Sequence, residues 1–392
     1  MSERIPVMRP WFGPEEAEAA AEAVRSGWVA QGPRVAAFEA AFAERVGAAD
    51  AVAVSSCTTA LHLALIGAGV GPGDEVVVPS LSFIATANAV RYVGASPVFA
   101  DVDIETGNLT ADTVHAVRTP RTRAVILVDQ GGVPADLDAV RVLCDPLGIV
   151  VVEDAACGAG SRLRGRQAGA GAAFATYSFH PRKLLTCGEG GMVTVDRADV
   201  AARLRRLREH GMSVSAADRD AADRGGAPPV LETYDELGFN YRMTDVQAAI
   251  GLVQLGRLDA MVERRRKLAD RYRRLLAGVP GLRLVADPEY GTTNYQACWA
   301  LLPEDFPLDR DAVLGRLSAE GISARRGIMA AHLEPAYADT PHAPLPATER
   351  LTRDSLILPL FHDLTESQQD RVVAVLYAVA GIAAPEMAEA GA

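Results

Sequence analysis

A lysine at position 183 is the first residue whose surroundings point to chemistry. It lies in the segment Thr176-Tyr-Ser-Phe-His-Pro-Arg-Lys183-Leu-Leu-Thr-Cys-Gly-Glu-Gly-Gly191, between an apolar run and a glycine-rich turn. A single lysine is most often a solvated surface cation. A lysine anchored on a rigid scaffold can also be a nucleophilic amine that forms a Schiff base with an aldehyde cofactor. Lys183 alone does not decide between these two readings.

A second segment, Ile149-Val-Val-Val-Glu-Asp154-Ala-Ala-Cys157, is an apolar run that ends in an acid. Ligands of open α/β sheets bind at the carboxyl ends of the strands. An aspartate at such a place can also simply cap the next helix. Together with Lys183, however, Asp154 fits a site for pyridoxal 5'-phosphate (PLP), because a carboxylate can keep the pyridine nitrogen of PLP protonated.

A third segment, Ala53-Val-Ser-Ser-Cys57-Thr58-Thr, leads from an apolar run into an alanine- and leucine-rich helix. Small polar residues at a helix start offer backbone N–H groups, hydroxyls and the positive helix end to a phosphate. Such caps open many helices, so the motif is weak alone. The three segments together supply a phosphate cradle, an acid for the ring nitrogen and a Schiff-base lysine.

Alternating strands and helices must position these residues. Seven short apolar runs are predicted as strands: 51–54, 75–78, 97–100, 124–128, 149–153, 174–178 and 192–195. Two helices are predicted ahead of them, at 14–26 and 34–46, and further helical segments such as 59–66 and 137–143 lie between the strands. Continuous apolar strands that alternate with helices predict an α/β fold, with a seven-stranded, mostly parallel sheet flanked by helices on both faces.

The C-terminal part of the chain has a different pattern of predicted helices and strands. Capping boxes at Thr244 and Thr365, each followed three residues later by glutamine, predict the starts of two helices. Helices and short strands mix after residue 255. We therefore expect a large cofactor-binding domain over residues 1–254 and a smaller α+β domain over residues 255–392.

Two further segments carry little apolar sequence. The polar stretch 216–229 ends in turn-forming residues and predicts a surface loop. The tail 383–392 is small and polar, and it is expected to fray.

Composition excludes several classes of protein. The 392 residues are 49% hydrophobic and carry a formal charge of −11, which argues against nucleic-acid binding. The five cysteines include no C-x-x-C pair, so neither a disulfide framework nor a metal site is expected. No secretory signal and no membrane-spanning apolar run is visible, so we expect a cytoplasmic protein that does not bind membranes.

The order and spacing of the three segments resemble those of fold-type-I PLP aminotransferases. More narrowly, they resemble the DegT/DnrJ/EryC1/StrS family of sugar aminotransferases. The resemblance extends along nearly the whole chain, through the segments 26–39, 73–79, 82–86, 132–136, 153–156, 178–183, 238–243, 247–255, 332–337 and 358–360.

The resemblance implies roles at the cofactor. Lys183 would be the Schiff-base lysine that also moves a proton between the substrate carbon and the cofactor, and Asp154 would pair with the pyridinium. Phe83 matches an aromatic position that stacks on the ring. The phosphate would be held by the backbone near Cys57 and by the side chains of Thr58 and Ser178.

It also implies a second subunit and substrate contacts. Asn240 matches an asparagine that, in this family, reaches the phosphate from the neighbouring subunit, so a homodimer with shared active sites is expected. Arg242 and His332 match positions near the substrates, and for each of them a structural role is equally compatible with the sequence.

Three residues depart from the family pattern. Cys157, close to the hydroxyl side of the cofactor ring, stands where the family usually has glutamine or histidine. Asp129 stands where many members have histidine, and Arg182 precedes the lysine, where smaller residues are usual.

The expected activity is therefore a two-step amino transfer. An amino donor, L-glutamate or L-glutamine, converts PLP to pyridoxamine phosphate, which then aminates a keto sugar, and we expect this sugar to be linked to a nucleotide. An aminotransferase for keto-cyclitols of the inosose type is the alternative. A PLP-dependent sugar dehydratase is disfavoured because such relatives carry histidine in place of Lys183, and a non-catalytic regulator would not need the pair of Lys183 and Asp154.

Overall fold

The computed structural model describes residues 4–215 and 231–384. The predicted surface loop at 216–229 lies outside the described residues, as does the predicted tail from residue 385 onward.

A seven-stranded sheet forms the centre of the molecule, in the order β1-β9-β8-β5-β4-β2-β3. The strands are β1 (Asp50–Val54), β2 (Glu75–Pro79), β3 (Ser96–Ala100), β4 (Thr122–Val128), β5 (Val150–Asp154), β8 (Phe174–Ser178) and β9 (Gly191–Val195). β9 runs antiparallel to both of its neighbours, β1 and β8, while the other neighbouring strands are parallel. All seven predicted strands and the mostly parallel sheet are confirmed.

The strands are apolar throughout because helices cover both faces of the sheet. Consecutive residues of a strand point to opposite faces. In β2, Val77 packs into one hydrophobic cluster while Val76 and Val78 pack into the other. In β4, Ile126 and its neighbours divide between the clusters in the same way. A strand buried on both faces shows no polar alternation, which explains the continuous apolar runs of the sequence.

Eleven helices are named in the described part of the chain. They are α1 (Pro14–Arg25), α2 (Pro33–Val46), α3 (Cys57–Gly67), α4 (Ala85–Tyr92), α5 (Ala111–Val117), α6 (Leu137–Cys144), α7 (Ala198–Leu207), α8 (Asp245–Leu276), α9 (Arg310–Ala319), α10 (Pro346–Asp354) and α11 (Glu366–Ala380). The predicted capping boxes open α8 at Thr244 and α11 at Thr365, where each threonine accepts a hydrogen bond from the backbone N–H three residues later. Both predicted helix starts are confirmed.

A buried ion pair joins α2, α7 and the edge of the main sheet. Glu39 and Arg208 are each 4% exposed and contact one another. Glu39 also accepts a hydrogen bond from the N–H of Ala53 in β1 at 2.8 Å and pairs with Arg205 at 3.1 Å. Arg208 in turn donates to the carbonyl of Ala53 at 2.6 Å. The charges are thereby paired and hydrogen-bonded, which burial requires.

The C-terminal part contains a four-stranded antiparallel sheet. Its order is β10-β12-β14-β13, with β10 (Arg283–Leu284), β12 (Cys298–Leu301), β13 (Arg325–Arg326) and β14 (Ser355–Leu358). A smaller sheet is formed by β6 (Arg162–Leu163), β7 (Arg166–Gln167) and β11 (Gly291–Thr292). The expected smaller α+β region is present. The predicted domain boundary at 254/255 falls within helix α8, and the division of the chain there stays a prediction.

Two observations concern other classes of protein. Across residues 4–215 and 231–384, no helix is both long and apolar enough to span a bilayer. In the same residues, no group of three or more His, Cys, Asp or Glu side chains could hold a metal ion.

Candidate active site

The predicted site residues are brought together by the ends of several elements. Asp154 is the last residue of β5 and Ser178 the last residue of the neighbouring strand β8. Cys57 opens helix α3, which follows β1. Because the carboxyl ends of parallel strands lie along one edge of a sheet, these side chains converge on one region.

The carboxylate of Asp154 is buried and held from two sides. The hydroxyl of Thr86 donates to Oδ2 at 2.9 Å, and the N–H of Ala156 donates to Oδ1 at 3.2 Å. Burial raises the pKa of Asp154, although the Thr86 hydrogen bond and the charge of Lys183 act in the opposite direction. A cationic N–H donor in the cavity would stabilise the ionised carboxylate.

The amine of Lys183 lies beside the same group of residues. Its Nζ donates to Sγ of Cys157 at 3.1 Å, and the side chain is half-buried. Burial lowers the pKa of Lys183, but Cys157, Cys57 and Asp154 together raise it above its ordinary value. The structure therefore unites Lys183, Asp154, Cys57 and Cys157 in one electrostatic cluster.

The thiol of Cys57 is buried within this cluster. Burial raises its pKa well above the usual range, and the nearby charge of Asp154 raises it further. The nearby hydroxyl of Thr176 lowers the pKa of the thiol in part. Cys57 is consequently held as a neutral thiol, and its backbone N–H is the group that could donate to an anion.

The start of α3 has the geometry of an anion site. Ser56 caps the helix by accepting from the N–H of Thr59 at 3.2 Å. Within the described part of the chain, no acceptor pairs with the N–H groups of Cys57 or Thr58. The first N–H groups of a helix have no intrahelical acceptor and favour an anion such as a phosphate.

Gly191 of β9 lies directly against this helix start. A Cβ atom at Gly191 would come within 2.4 Å of the carbonyl carbon of Ser56 and 2.6 Å of the nitrogen of Cys57. These are backbone atoms, which cannot rotate away. The glycine therefore lets the antiparallel strand approach the cradle closely.

Phe83 presents an apolar ring to solvent at the edge of the site. It is 70% exposed, although it lies three residues before Thr86, the buried hydroxyl that binds Asp154. A planar aromatic ligand that bonds to Asp154 would find an aromatic face here on which to stack. The acid, the amine, the free N–H groups and the ring fit the chemistry of PLP.

Comparison with known proteins agrees with this geometry. Residues 11–377 match the DegT/DnrJ/EryC1/StrS aminotransferase family. The chain belongs to this family.

Solved structures of the family superimpose on nearly the whole chain. The aminotransferase TlmJ from Streptoalloteichus hindustanus is 38% identical, with a TM-score of 0.88 over 96% of this chain and 99% of that chain. DesV from S. venezuelae, solved in complex with a ketimine intermediate, is 35% identical, with a TM-score of 0.86 over 97% of this chain and 99% of that chain. DesI, solved in the presence of its TDP-sugar product, is also 35% identical, with a TM-score of 0.85 over 97% of this chain and 94% of that chain.

Membership of this family establishes the class of activity. The protein is an aminotransferase, and its cofactor is PLP. The fold-type-I architecture expected from the sequence is confirmed by the same superpositions.

Three predicted residues lie outside the cluster around Lys183. Asn240 is exposed, and its backbone forms an isolated β-bridge with Glu209. The guanidinium group of Arg242 lies 3.7 Å from the carboxylate of the same Glu209. His332 is buried, and its Nδ1 lies 2.7 Å from the hydroxyl of Ser80. In the described residues, none of the three contacts Lys183 or Asp154, and their roles toward cofactor and substrate stay predictions.

Two arginines, Arg182 and Arg325, have no acidic partner in the described part of the chain. Arg182 precedes Lys183, Arg325 belongs to β13, and both are exposed. Partial burial lowers the pKa of Arg325, and the positive charge of Arg182 lowers it further, so the two guanidinium groups lie within electrostatic reach of one another. Neither guanidinium forms an ion pair or a hydrogen bond with another described residue. Two unpaired like charges attract an anion.

Sequence reasoning missed two residues that support the site. Thr86 ends the segment 82–86, but no role was predicted for it, and only the fold brings its hydroxyl to Asp154. Gln296 carried no signal at all. Its Oε1 accepts from the N–H of Leu184 at 2.7 Å, and its Nε2 donates to the carbonyl of Arg182 at 2.7 Å. Gln296 thus binds the backbone on both sides of Lys183.

Proposed function

We propose that this chain transfers an amino group from L-glutamate or L-glutamine to a nucleotide-linked keto sugar. The observation that carries the proposal is the pair formed by Arg182, which adjoins Lys183 in the chain, and Arg325, because neither has an acidic partner among the described residues. A nucleotide sugar carries a diphosphate, which arginine binds through charge-assisted hydrogen bonds. A keto-cyclitol carries no such charge. The relative DesI, which has a TDP-sugar product, supports the same substrate class.

Each residue of the cluster has a defined task in this proposal. Lys183 holds the cofactor through its amine and later moves a proton at the substrate carbon. Asp154, fixed by Thr86, accepts the N–H of the cofactor ring. Cys157 accepts a hydrogen bond from the lysine amine and would face the hydroxyl side of the ring once the cofactor is bound. When bound, PLP supplies the electron sink for the reaction.

The remaining cofactor contacts are with the phosphate and the ring face. The phosphate is bound by the N–H groups of Cys57 and Thr58, the side chain of Thr58 and the hydroxyl of Ser178. Phe83 stacks on the ring. Ser178 is half-buried, and its hydroxyl has only a long contact, 3.5 Å, with the N–H of His180, which leaves it able to donate to a phosphate.

The substrate panel tests the acceptor. The enzyme is first treated with L-glutamate or L-glutamine until the visible absorbance of the bound cofactor is lost. TDP-linked keto sugars and keto-cyclitols are then added separately, and the return of the absorbance is followed. We expect a nucleotide-linked ketone to restore it. Restoration by a keto-cyclitol alone would establish the alternative activity. Lys183→Ala serves as the control, which should never develop the visible band.

Arginine variants test where the diphosphate binds. Arg325→Gln and Arg182→Gln should each raise the KM for the nucleotide sugar about 10- to 100-fold, because a hydrogen bond to a charged group contributes about 1.5 to 3 kcal/mol. The reaction with the amino donor should keep its rate. If the variants instead slow the donor reaction and leave the sugar KM unchanged, the arginines bind the carboxylate of the donor and not a diphosphate.

The proposal includes a homodimer with shared sites. Asn240 is exposed and makes no contact with the Lys183 cluster of its own chain, so in this proposal it serves the phosphate site of a second copy. Asn240→Ala should weaken cofactor retention without changing the stability of the monomer fold. Full activity at dilutions at which sedimentation detects only monomer would contradict the shared site. Arg242 and His332 are assigned to the substrate side of the same site.

A further inference from the structure

Two buried carboxyl groups that the proposed reaction does not use lie directly behind Asp154. Asp129 follows β4 and is 0% exposed, while Glu153 in β5 is 2% exposed. In the register of the sheet, Glu153 lies opposite Leu127. The N–H of Asp129 donates to the backbone carbonyl of Asp154 at 3.1 Å. The two acids therefore belong to the adjacent strand ends from which Asp154 emerges.

Each carboxyl group has one oxygen bound and one oxygen without a donor. The N–H of Ala135 donates to Oδ1 of Asp129 at 2.9 Å, and the N–H of Gly169 donates to Oε1 of Glu153 at 3.0 Å. Oδ2 of Asp129 and Oε2 of Glu153 are buried and have no donor among the described residues. The two carboxyl groups are close enough for each to shift the pKa of the other. Two carboxylates would repel, whereas one proton between them would satisfy both oxygens.

We propose that Asp129 and Glu153 share one proton and that this acid pair positions the cofactor site by joining the ends of β4 and β5. The inference rests on the proposed function only in treating Asp154 as the acid that meets the cofactor ring. Asp129 and Glu153 are positioning residues, because they act through Asp154 and Cys157 and touch no reacting atom.

The packing explains how the pair acts on the site. The turn that begins after Asp154 carries Cys157 and returns at Gly158, where a Cβ atom would lie 2.3 Å from Oδ2 of Asp129. The N–H of Gly158 closes this turn on the carbonyl of Ala155 at 2.8 Å. The carboxyl group of Asp129 therefore packs against the base of the turn that carries Cys157, and a shift of that group would disturb the approach of Cys157 to Lys183.

The surroundings of the pair favour a protonated state over two carboxylates. Burial raises the pKa of Glu153 to about 7, and burial followed by the charge of Glu153 raises that of Asp129 well above its usual range. The groups that face the pair are Asp154, Cys157, Tyr177, Asp138 and Arg166. Arg166 is the cation among them and lowers the pKa of Glu153, whereas Asp138 raises it.

The retained proton gives a signature in stability. The folded pair keeps a proton that an unfolded glutamate loses above its ordinary pKa of 4.5. The stabilisation is therefore complete below that pH and is lost as the pH rises toward about 7. The unfolding equilibrium constant should change on the order of a hundredfold across this interval through Glu153 alone.

Infrared spectroscopy of the protein without cofactor tests the shared proton. The wild type at pH 6 should show the carbonyl band of a buried protonated carboxylic acid. Asp129→Asn/Glu153→Gln, which preserves a side-chain hydrogen bond without an ionisable group, should lack the band and the pH-dependent loss of stability. Glu75→Gln is the matched control. Glu75 is also a buried acid, but neighbouring side chains lower its pKa, so its replacement should leave the band intact.

Cofactor affinity tests the positioning role. Asp129→Leu, which cannot form the bond, should raise the dissociation constant of PLP about five- to tenfold, since a buried hydrogen bond contributes about 1 kcal/mol. The double amide variant should stay within about threefold of the wild type. Absence of the wild-type carboxylic acid band, or wild-type affinity in Asp129→Leu, would overturn the inference. Neither measurement uses a sugar, so failure of the substrate panel leaves both results interpretable.

Discussion

Gln296 should control how firmly the backbone around Lys183 is held. Its side chain accepts from the N–H of Leu184 and donates to the carbonyl of Arg182, each at 2.7 Å. Its own carbonyl accepts from buried Arg265 at 2.8 Å, which anchors Gln296 to helix α8. The side chain of Gln296 thus fixes the backbone on both sides of Lys183, at the carbonyl of Arg182 and the N–H of Leu184.

The cost of removing this side chain follows from the two hydrogen bonds. The bond to Leu184 is partly buried and should contribute about 1 kcal/mol, whereas the bond to Arg182 is more exposed and should contribute less. Gln296→Ala should therefore lower the free energy of unfolding by about 1 to 2 kcal/mol. Gln296→Glu keeps the acceptor but loses the donor, so its effect should be roughly half as large.

Urea unfolding and cofactor capture measure the two consequences. The free energy of unfolding is obtained without cofactor, and the growth of visible absorbance after addition of PLP gives the rate at which Lys183 captures it. We expect Gln296→Ala to be less stable and slower in capture, because the lysine backbone is no longer ordered. Gln167→Ala is a matched control, since no hydrogen bond involves that side chain in the described structure. Wild-type stability and wild-type capture in Gln296→Ala would refute the reasoning.

Further predictions address the cradle, the core and the pH dependence. Gly191→Ala should destabilise the fold by about 1 to 3 kcal/mol and weaken PLP binding, because its Cβ atom would meet the backbone of Ser56, as isothermal titration can measure. Gly315→Ala, at an open helical position, should instead stabilise by about 0.5 to 1 kcal/mol in thermal unfolding, and a loss there would contradict the space argument. Glu39→Ala should cost about 3 to 5 kcal/mol in urea, because it leaves a buried arginine unpaired; a cost below about 1 kcal/mol would show that the pair is solvated. Burial and then the charge of a neighbouring histidine lower the pKa of His332, so the free energy of unfolding should fall as the pH drops below about 6.5. In acid unfolding, His332→Gln should therefore lose less stability than the wild type.

The main sheet and the chemistry of its edge were predictable from the sequence. Strands such as β2 are apolar on both faces because two helical layers cover them, and this requirement leaves continuous runs that can be recognised along the chain. Asp154 and Lys183 were recognisable because each ends or follows such a run, and parallel strands bring their carboxyl ends together. Helices α8 and α11 began where their capping boxes predicted, since capping depends on residues only three positions apart.

Contacts between distant segments could not be predicted in this way. Thr86 and Asp154 are 68 positions apart in the chain, and Gln296 and Leu184 are 112 positions apart. Hydroxyl and amide side chains can bond to many partners, so their residue type does not reveal which one the fold supplies. The antiparallel direction of β9 was equally hidden, because it depends on the path of the chain between strands.

The sequence by itself determined the residue types of the reaction, namely an amine, an acid and a helix start suited to phosphate, together with the strands that carry them. These properties are local, because strand periodicity, capping and motif spacing act over a few residues. Only the tertiary structure decided which groups surround the amine and how they are charged. It brought the thiol of Cys157 to the amine of Lys183 and the side chain of Gln296 to the backbone beside the lysine. It also buried the acids Asp129 and Glu153 next to the strand end that carries Asp154. The physical reason is that burial and charge proximity, which set the pKa of each group, arise only when distant segments pack together.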